Sequence, residues 1–201
     1  RSGRSAWEPS SRLGAVKSRA SESPEKDRQE RILGAGIHLL GQHGISGVSI
    51  RAVARQAGVA LGLVNYYYED KHGLIRAALL RIEESDMALV EPDPSRSPEE
   101  QVRGALSRVA DPRYLTTEYL SLRLQLWALA QAHEDYARIN TAAQRRYRQK
   151  LAQLIGTARP ELPAAECRRR ADDIDVLQNG LWLTALLGLD RGLRERHCER
   201  L

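Results

Sequence analysis

Residues 44–74 read GISGVSIRAVARQAGVALGLVNYYYEDKHGL, and two short helical patterns meet at a turn within this stretch. Ser49 is a good helix N-cap, and apolar residues recur after it at helical spacing up to Ala57. Gly58 can adopt the positive φ that ends a helix, and a second helix is predicted from about Leu61 to Tyr67. Two short helices joined by a glycine-bearing turn are typical of the helix-turn-helix, whose second helix enters the major groove of DNA.

The residues after the second helix strengthen this interpretation. Tyr66, Tyr67 and Tyr68 come first, and Asp70 and Lys71 then begin another helix. Tyrosine hydroxyls, a lysine and a helix N-terminus are all groups that bind phosphate. Tyr66 and Tyr67 are the better phosphate contacts, whereas Tyr68 is expected in the core.

The stretch from Arg28 to Ala78 resembles the DNA-binding domain of the tetracycline-repressor (TetR) family of bacterial transcription regulators. The resemblance rests on SIRAVARQAGV at residues 49–59, on the three tyrosines and on Lys71. Two positions depart from the family pattern. Ala60 replaces the usual Ser or Thr cap of the recognition helix, at a cost of roughly 1 kcal/mol. Asn65 stands where the family often has Tyr.

The predicted DNA contacts come from both helices and from the start of the next one. Arg51 matches a family position that often touches DNA, although Arg51 with Arg55 one turn later also fits a solvated basic face. Asn65 can pair with adenine, and Leu61 can pack against a thymine methyl. The predicted set is Ser49, Arg51, Leu61, Gly62, Asn65, Tyr66, Tyr67 and Lys71.

Charge and composition agree with a soluble DNA-binding protein. Residues 1–72 hold 11 Lys and Arg against 7 Asp and Glu, whereas the other 129 residues hold 20 against 19, so the basic excess lies on the predicted DNA-binding part. No apolar run reaches the roughly 18 residues that span a bilayer, and the polar N-terminus is unlike a secretory leader. Cys167 and Cys198 have no framework spacing, so we expect free thiols in the cytoplasm.

No pattern typical of an enzyme or a metal site occurs in the sequence. The five histidines share no ligand spacing, and there is no nucleophile elbow or phosphate-binding loop. Asp172, Asp173 and Asp175 follow three arginines and are expected to form a solvated face. We therefore expect neither catalysis nor a cofactor.

Apolar periodicity and proline breaks predict helices throughout, so the expected fold is all-α. The resemblance to the TetR family implies an N-terminal three-helix helix-turn-helix domain and a C-terminal helical ligand-binding and dimerisation domain. Further helices are predicted at Pro24–Gln42 (ended by Gly44), from Lys71 through Met87, from Pro98 to about Asp111, and at Tyr114–Ala132, Glu134–Ala158 and Pro163–Leu187. The expected domain boundaries are a flexible basic arm at 1–24, the helix-turn-helix at 25–70, the second domain at 71–190 and a charged tail at 191–201.

The second half resembles, more loosely, the regulatory domain of the choline-responsive, BetI-like branch of the same family. The resemblance rests on LQLWALAQAHEDYARINTAAQRRYRQKL at residues 124–151 and on LQNGLWLTALLG at residues 177–188. It implies a homodimer formed by the last two helices and a ligand cavity enclosed by the middle helices. The run from Leu181 to Leu187 supports the dimer, because it is too apolar to be left exposed.

Aromatic and polar residues of the second half are candidate ligand contacts. Tryptophan faces such as those of Trp127 and Trp182 attract cations, whereas Arg123 would favour an acidic ligand, so the charge of the ligand stays open. The alternatives are ordinary core packing for the aromatics and a dimer contact for Asn179 with Gly180. The candidate set is Tyr119, Arg123, Trp127, Gln178, Asn179 and Trp182.

These patterns predict a ligand-responsive transcriptional repressor, which binds a palindromic DNA operator as a homodimer and is released by a small-molecule inducer. The alternative is a helical small-molecule-binding or interaction module with a degenerate DNA-binding domain. The missing cap at Ala60 and the unusual Leu61 support that alternative.

Overall fold

The computed structural model describes residues 24–188, without the side chain of Arg113. The predicted arm before Pro24, the charged tail and Cys198 lie outside the described residues. Within that range the chain forms helices and no strand, which confirms the all-α prediction. The helices are α1 (Pro24–Gly47), α2 (Ile50–Ala57), α3 (Leu61–Tyr68), α4 (Lys71–Leu89), α5 (Pro98–Arg108), α6 (Thr117–Ala132), α7 (Glu134–Ala158) and α8 (Ala164–Leu186).

The chain divides into two compact units, with the boundary between Ala78 and Leu79 inside α4. In the first unit, α1, α2, α3 and the start of α4 bury a small apolar core, whose removal from water is the main source of stability. Gly36 allows the side chain of Leu74 to approach α1, since a Cβ at Gly36 would lie 2.9 Å from Leu74 Cδ1. The largest fully buried side chains of this core are those of Ile32, Leu40, Val53, Val64 and Leu74.

The end of α1 contains a break. Gly44 has φ 68° and ψ 174°, outside the helical region, and a further helical segment then reaches Gly47. The predicted break at Gly44 is confirmed, but the short segment that follows it was not predicted. This segment leads to Val48, which is buried, and then to Ser49 at the start of α2.

The second unit is built around α7, which packs against α5, α6 and α8. Leu151 of α7 is buried together with Leu122 and Leu126 of α6 and Trp182 of α8. The predicted bounds of α7 are confirmed, although its start at Glu134 has no side-chain cap bond. Among the described helices, none combines the length and the apolar composition needed to cross a bilayer.

Side-chain caps set the starts of α5 and α6. Ser97 Oγ accepts a hydrogen bond from Glu100 N at 3.3 Å, and Ser97 N donates to Glu100 Oε2 at 2.9 Å, which together form a capping box. Thr116 Oγ1 accepts from Tyr119 N at 3.2 Å and starts α6 at Thr117. The predicted start at Tyr114 is therefore wrong, because Tyr114 belongs to a separate 3₁₀ helix, Pro112–Tyr114.

Candidate DNA-binding surface and ligand cavity

Both ends of α2 are defined by caps. Ser49 Oγ accepts a hydrogen bond from Ala52 N at 3.2 Å, which confirms the predicted N-cap. Gly58 has φ 65° and ψ 40°, in the left-handed region that glycine tolerates, and ends the helix as predicted. Arg51 and Arg55 both lie exposed on this helix.

The recognition-helix candidate α3 has one buried face and one exposed face. Val64 and Tyr68 are buried four residues apart, as the repeat of a helix requires. Ala60 makes no side-chain cap bond, as its missing hydroxyl predicts. The exposed face carries predicted DNA contacts only, and these are Leu61, Gly62, Asn65 and Tyr66.

The tyrosines at the end of α3 lie in three different environments. Tyr66 is 72% exposed. Tyr67 is half-buried, and its hydroxyl lies 3.5 Å from the Glu25 carbonyl oxygen of α1. Tyr68 is buried and donates a hydrogen bond to the Gln29 carbonyl oxygen at 3.1 Å. Tyr68 therefore belongs to the core as predicted, and Tyr66 is the most exposed of the three.

A sharp turn between α3 and α4 places Lys71 at the start of α4. Glu69 has φ 61°, which is strained for a residue with a side chain. Asp70 Oδ1 accepts a hydrogen bond from Gly73 N at 2.9 Å, and this bond lowers the pKa of Asp70. A Cβ at Gly73 would lie 2.0 Å from the Tyr68 carbonyl oxygen, so only glycine fits there. Gly73 therefore fixes the position of the start of α4, and this role was not predicted from the sequence. Its place three residues after Asp70, where its N–H can be capped, was visible in the sequence.

The second unit contains a buried ion pair between α4 and α6. Arg123 Nη1 lies 2.5 Å from Asp86 Oδ2, and the Tyr119 hydroxyl donates to Asp86 Oδ1 at 2.9 Å. The guanidinium carbon lies 4.2 Å from the Trp182 ring centre and 5.0 Å from that of Trp127. Burial raises the pKa of Asp86, and the Arg123 guanidinium opposes that rise. Arginine is suited to this place, because its planar group can stack on rings while it pairs with a carboxylate.

A small polar cavity lies beside this ion pair. Its volume is about 10 Å³, which is room for roughly one water molecule. Helices α4, α6, α7 and α8 all contribute to its wall. The polar residues that matter for its chemistry are Glu83, Asp86, Arg123, Asp175, Gln178 and Asn179.

Three of these cavity residues are buried carboxylic acids, from α4 and α8. Burial raises the pKa of Glu83 to about 7, and the neighbouring Asp86 adds to that rise. Burial also raises the pKa of Asp175, and Arg148, whose Nε lies 3.3 Å from Asp175 Oδ2, opposes it. Acidic groups therefore outnumber the buried cation Arg123 around the cavity.

The structure brings together half of the predicted ligand contacts at this cavity. Those that line it are Arg123, Gln178 and Asn179. The others surround the buried ion pair instead, and these are Tyr119, Trp127 and Trp182. Within this second group, Trp182 Nε1 donates a hydrogen bond to the Val109 carbonyl oxygen at 3.1 Å, which is the bond that a buried indole needs.

Glu83 and Asp86, on the acidic side of the cavity, were not predicted from the sequence. The interpretation of Asp175 as part of a solvated face is wrong, since Asp175 is 9% exposed. Helical spacing places Asp175 on the buried face of α8 with Ala171, Gln178 and Trp182. That spacing was available in the sequence, although Asp172 and Asp173 are indeed exposed.

Known proteins share both the sequence pattern and the fold. A family model described as bacterial regulatory proteins, tetR family, matches residues 32–78, and one described as BetI-type transcriptional repressor, C-terminal, matches residues 98–201. The HTH-type transcriptional regulator BetI of Cronobacter sakazakii is 26% identical over 164 residues, which are 80% of this chain and 80% of that protein. BetI of Escherichia coli K12 is 24% identical over 164 residues, 80% of this chain and 83% of its own.

Solved structures with the same fold include a TetR transcription regulator from Haloarcula marismortui, with a TM-score of 0.71 and 20% sequence identity. The match covers 87% of this chain and 94% of that one. A protein from Saccharomonospora viridis, solved in complex with choline, has a TM-score of 0.70 and 20% identity, with coverage of 87% and 93%. The curated relatives are transcription regulators and not enzymes, in agreement with the expectation from sequence. The chain belongs to the tetR family of bacterial regulatory proteins and is a transcriptional regulator with a BetI-type repressor C-terminal domain.

Proposed function

We propose that the protein is a repressor that binds a palindromic operator as a homodimer and leaves it when a small molecule binds. The observation that carries this proposal is the exposed face of α3, where each exposed residue is one that we predict to contact DNA. This function places the protein in the cytoplasm, with the chromosome.

Base recognition is assigned to the exposed face of α3. The Asn65 amide can pair with adenine, and Leu61 can pack against a thymine methyl. Gly62 carries no side chain, and a Cβ built there meets nothing within 4 Å, so the helix backbone can come close to the groove. These three residues would set the sequence preference.

Phosphate contacts are assigned to residues on both sides of α3. Arg51 and Tyr66 are exposed and can reach phosphate oxygens. Ser49 and Lys71 lie at the N-termini of α2 and α4, where the partial positive charge of a helix end favours a phosphate. Tyr67, which is half-buried, completes the predicted set.

An apolar stripe on α8 is assigned to the dimer interface. Val176, Leu183 and Leu187 are 70%, 44% and 60% exposed, and helical spacing places them on one face with Gly180. A Cβ at Gly180 would meet nothing within 4 Å, so the space over this glycine is open to a second helix. Exposed apolar stripes mark interfaces, and a two-fold dimer requires a palindromic operator.

The proposed ligand site is the second unit, and α4 is the proposed link to the DNA-binding unit. This single helix begins at Lys71 and also carries Glu83 and Asp86 of the cavity wall. A ligand that moves α4 would change the spacing of the two recognition helices and would release DNA if it binds the released form more tightly. The choline-bound protein of the same fold supports a small-molecule ligand for this chain.

The test is a gel shift with the DNA upstream of the protein's own gene, together with selection of bound genomic fragments. We expect selected fragments with two related half-sites and a complex that weakens steeply as salt is raised, because phosphate contacts release counterions. Failure to bind any selected fragment at low salt would contradict the proposal and favour the interaction-module alternative.

A further inference from the structure

The cavity beside Arg123 is lined by a buried acidic side chain and by one buried acceptor atom that receives no hydrogen bond. The Glu83 side chain lines it and is 5% exposed. Asn179 Oδ1, which lines the same cavity, is buried without a hydrogen-bond partner within residues 24–188. A buried acceptor that lacks a donor costs free energy, so each such atom in a folded protein needs an explanation.

The other buried acceptors of the wall already have partners, whereas Arg123 Nε is a buried donor without one in the described part of the chain. Asp86 accepts from Arg123 and Tyr119. Gln178 Oε1 accepts from the Tyr147 hydroxyl at 2.5 Å. Asn179 Oδ1 is therefore the buried acceptor of this wall that has no partner, and the Glu83 side chain, on a different helix, lines the same cavity.

We propose that this cavity binds the ammonium group of a primary amine, with Glu83 and Asn179 Oδ1 as its acceptors and Asp175 as a further negative charge. The inference rests on the proposed function, since the amine is then the inducer. An ammonium group has three N–H donors and a positive charge, which match a carboxylate and an amide oxygen. Only a compact head group fits a volume of about 10 Å³, and Met87 in the wall is the flexible side chain that can make room for the attached carbon chain.

The same geometry disfavours a quaternary ammonium group. Such a group has no N–H donor and would give no hydrogen bond to Glu83 or to Asn179 Oδ1. Quaternary ammonium ligands bind on the faces of aromatic rings. Here the guanidinium of Arg123 already lies over the rings of Trp182 and Trp127.

An anionic ligand is disfavoured as well. Arg123 Nε is buried without an acceptor in the described part of the chain, but the guanidinium is already paired with Asp86. A bound anion would meet the carboxyl groups of Glu83 and Asp175 in the same small cavity. Like charges in a buried site repel strongly, so a cation is the ligand class that fits.

The deciding experiment compares amines with their methylated counterparts on the full-length protein. Ethanolamine is matched with choline, and butylamine with butyltrimethylammonium, because each pair differs only in the N-methyl groups. Affinity is measured by calorimetry and by the thermal shift that binding produces. We expect each primary amine to bind at least about tenfold more tightly than its partner.

Variants of two adjacent residues provide the control. Glu83→Gln keeps the size of the side chain and removes its charge, so it should weaken amine binding about tenfold or more. Glu84→Gln changes an exposed neighbour, whose side chain is 74% exposed, and should leave binding unchanged. Amine binding by the wild type should strengthen from about pH 6 to about pH 8, because Glu83 becomes ionised over this range. This trend should be absent in Glu83→Gln. The charged groups that act on Glu83 are those of Asp86, Arg123, Arg146 and Asp175.

Equal or tighter binding of the quaternary compounds, or no amine binding up to about 10 mM, overturns the inference. A gel shift without amine separates this failure from that of the proposed function. If the protein binds its operator but no amine, the ligand assignment alone is wrong, whereas loss of DNA binding contradicts the repressor itself. Amine binding that leaves the DNA complex intact overturns the role of the amine as inducer.

Discussion

Arg123 lies over the indole of Trp182, with its guanidinium carbon 4.2 Å from the ring centre. The same guanidinium forms an ion pair with the carboxylate of Asp86. This contact connects α4, α6 and α8 through one side chain. The positive charge that the sequence suggested for a ligand contact is therefore neutralised within the protein.

Removal of Asp86 should strongly destabilise the second unit. Asp86→Ala leaves the Arg123 charge buried without its carboxylate, and loss of one partner of a buried pair costs about 3–5 kcal/mol. Urea denaturation measures this loss. Asp135→Ala, which removes the partner of Arg138 in an exposed pair, should have little effect. Similar urea concentrations at the midpoint of unfolding for the two variants would show that the buried pair contributes little to the stability of the unit.

Glu83 should make the stability of the protein fall as the pH rises. The pKa of Glu83 in the folded state is about 7, above the ordinary value of 4.5. Between pH 4.5 and about pH 7, Glu83 therefore stays protonated in the folded state but is ionised in the unfolded state. The free energy of unfolding therefore decreases from about pH 4.5 to about pH 7, by about 3 kcal/mol in all, and this loss persists at higher pH. Glu83→Gln should remove this part of the pH dependence and be more stable than the wild type at about pH 8.

Urea denaturation over a series of pH values, with the variant and the wild type in parallel, isolates this contribution from those of Asp86 and Asp175. Glu84→Gln should keep the wild-type dependence, because its side chain is exposed. Parallel curves for Glu83→Gln and the wild type would contradict the raised pKa.

Changes on α3 should separate base reading from phosphate binding. Asn65→Ala should alter the sequences recovered in a binding-site selection, whereas Lys71→Ala and Tyr66→Phe should each weaken binding to all sequences by a similar factor. Only Lys71→Ala should also lower the salt dependence, because the tyrosine hydroxyl carries no charge. Tyr68→Phe is the matched control, because it removes the bond to the Gln29 carbonyl oxygen and should lower stability without a change in sequence preference. An unchanged selection with Asn65→Ala would remove this residue from base recognition.

The stripe on α8 should control the oligomeric state. Leu183→Glu should give monomers or aggregates by light scattering at micromolar concentration. Gly180→Leu should also weaken the dimer while leaving the isolated subunit folded, because its Cβ meets no neighbouring atom within 4 Å and leucine favours helix more than glycine does. A wild type that is monomeric under these conditions would disprove the interface.

The turn before α4 should tolerate no side chain at Gly73. Gly73→Ala forces a Cβ against the Tyr68 carbonyl oxygen and should cost roughly 1–3 kcal/mol or more. Gly62→Ala is the matched control, because a Cβ there meets nothing and alanine favours the helix. Thermal unfolding followed by circular dichroism should show a lower Tm for Gly73→Ala alone.

The sequence by itself determined the all-α fold and the helix-turn-helix. Local signals are sufficient for this, because a cap such as Ser49 and a turn glycine such as Gly58 act on residues within one helical turn. At the end of α7 a local signal is also present, because Pro160 follows two residues after Ala158. The same locality explains the error at Tyr114, where the cap at Thr116 competed with an apparently continuous helical pattern.

Only the tertiary structure decided the chemistry of the second unit. Asp86 pairs with Arg123, and Glu83 and Asn179 line one cavity, through the packing of helices that are distant in the sequence. The periodicity of one helix says which of its faces is buried, but not which charge on another helix will meet that face. The energy of a buried charge depends on that partner, so the acidic cavity could be recognised only once α4, α6, α7 and α8 were placed together.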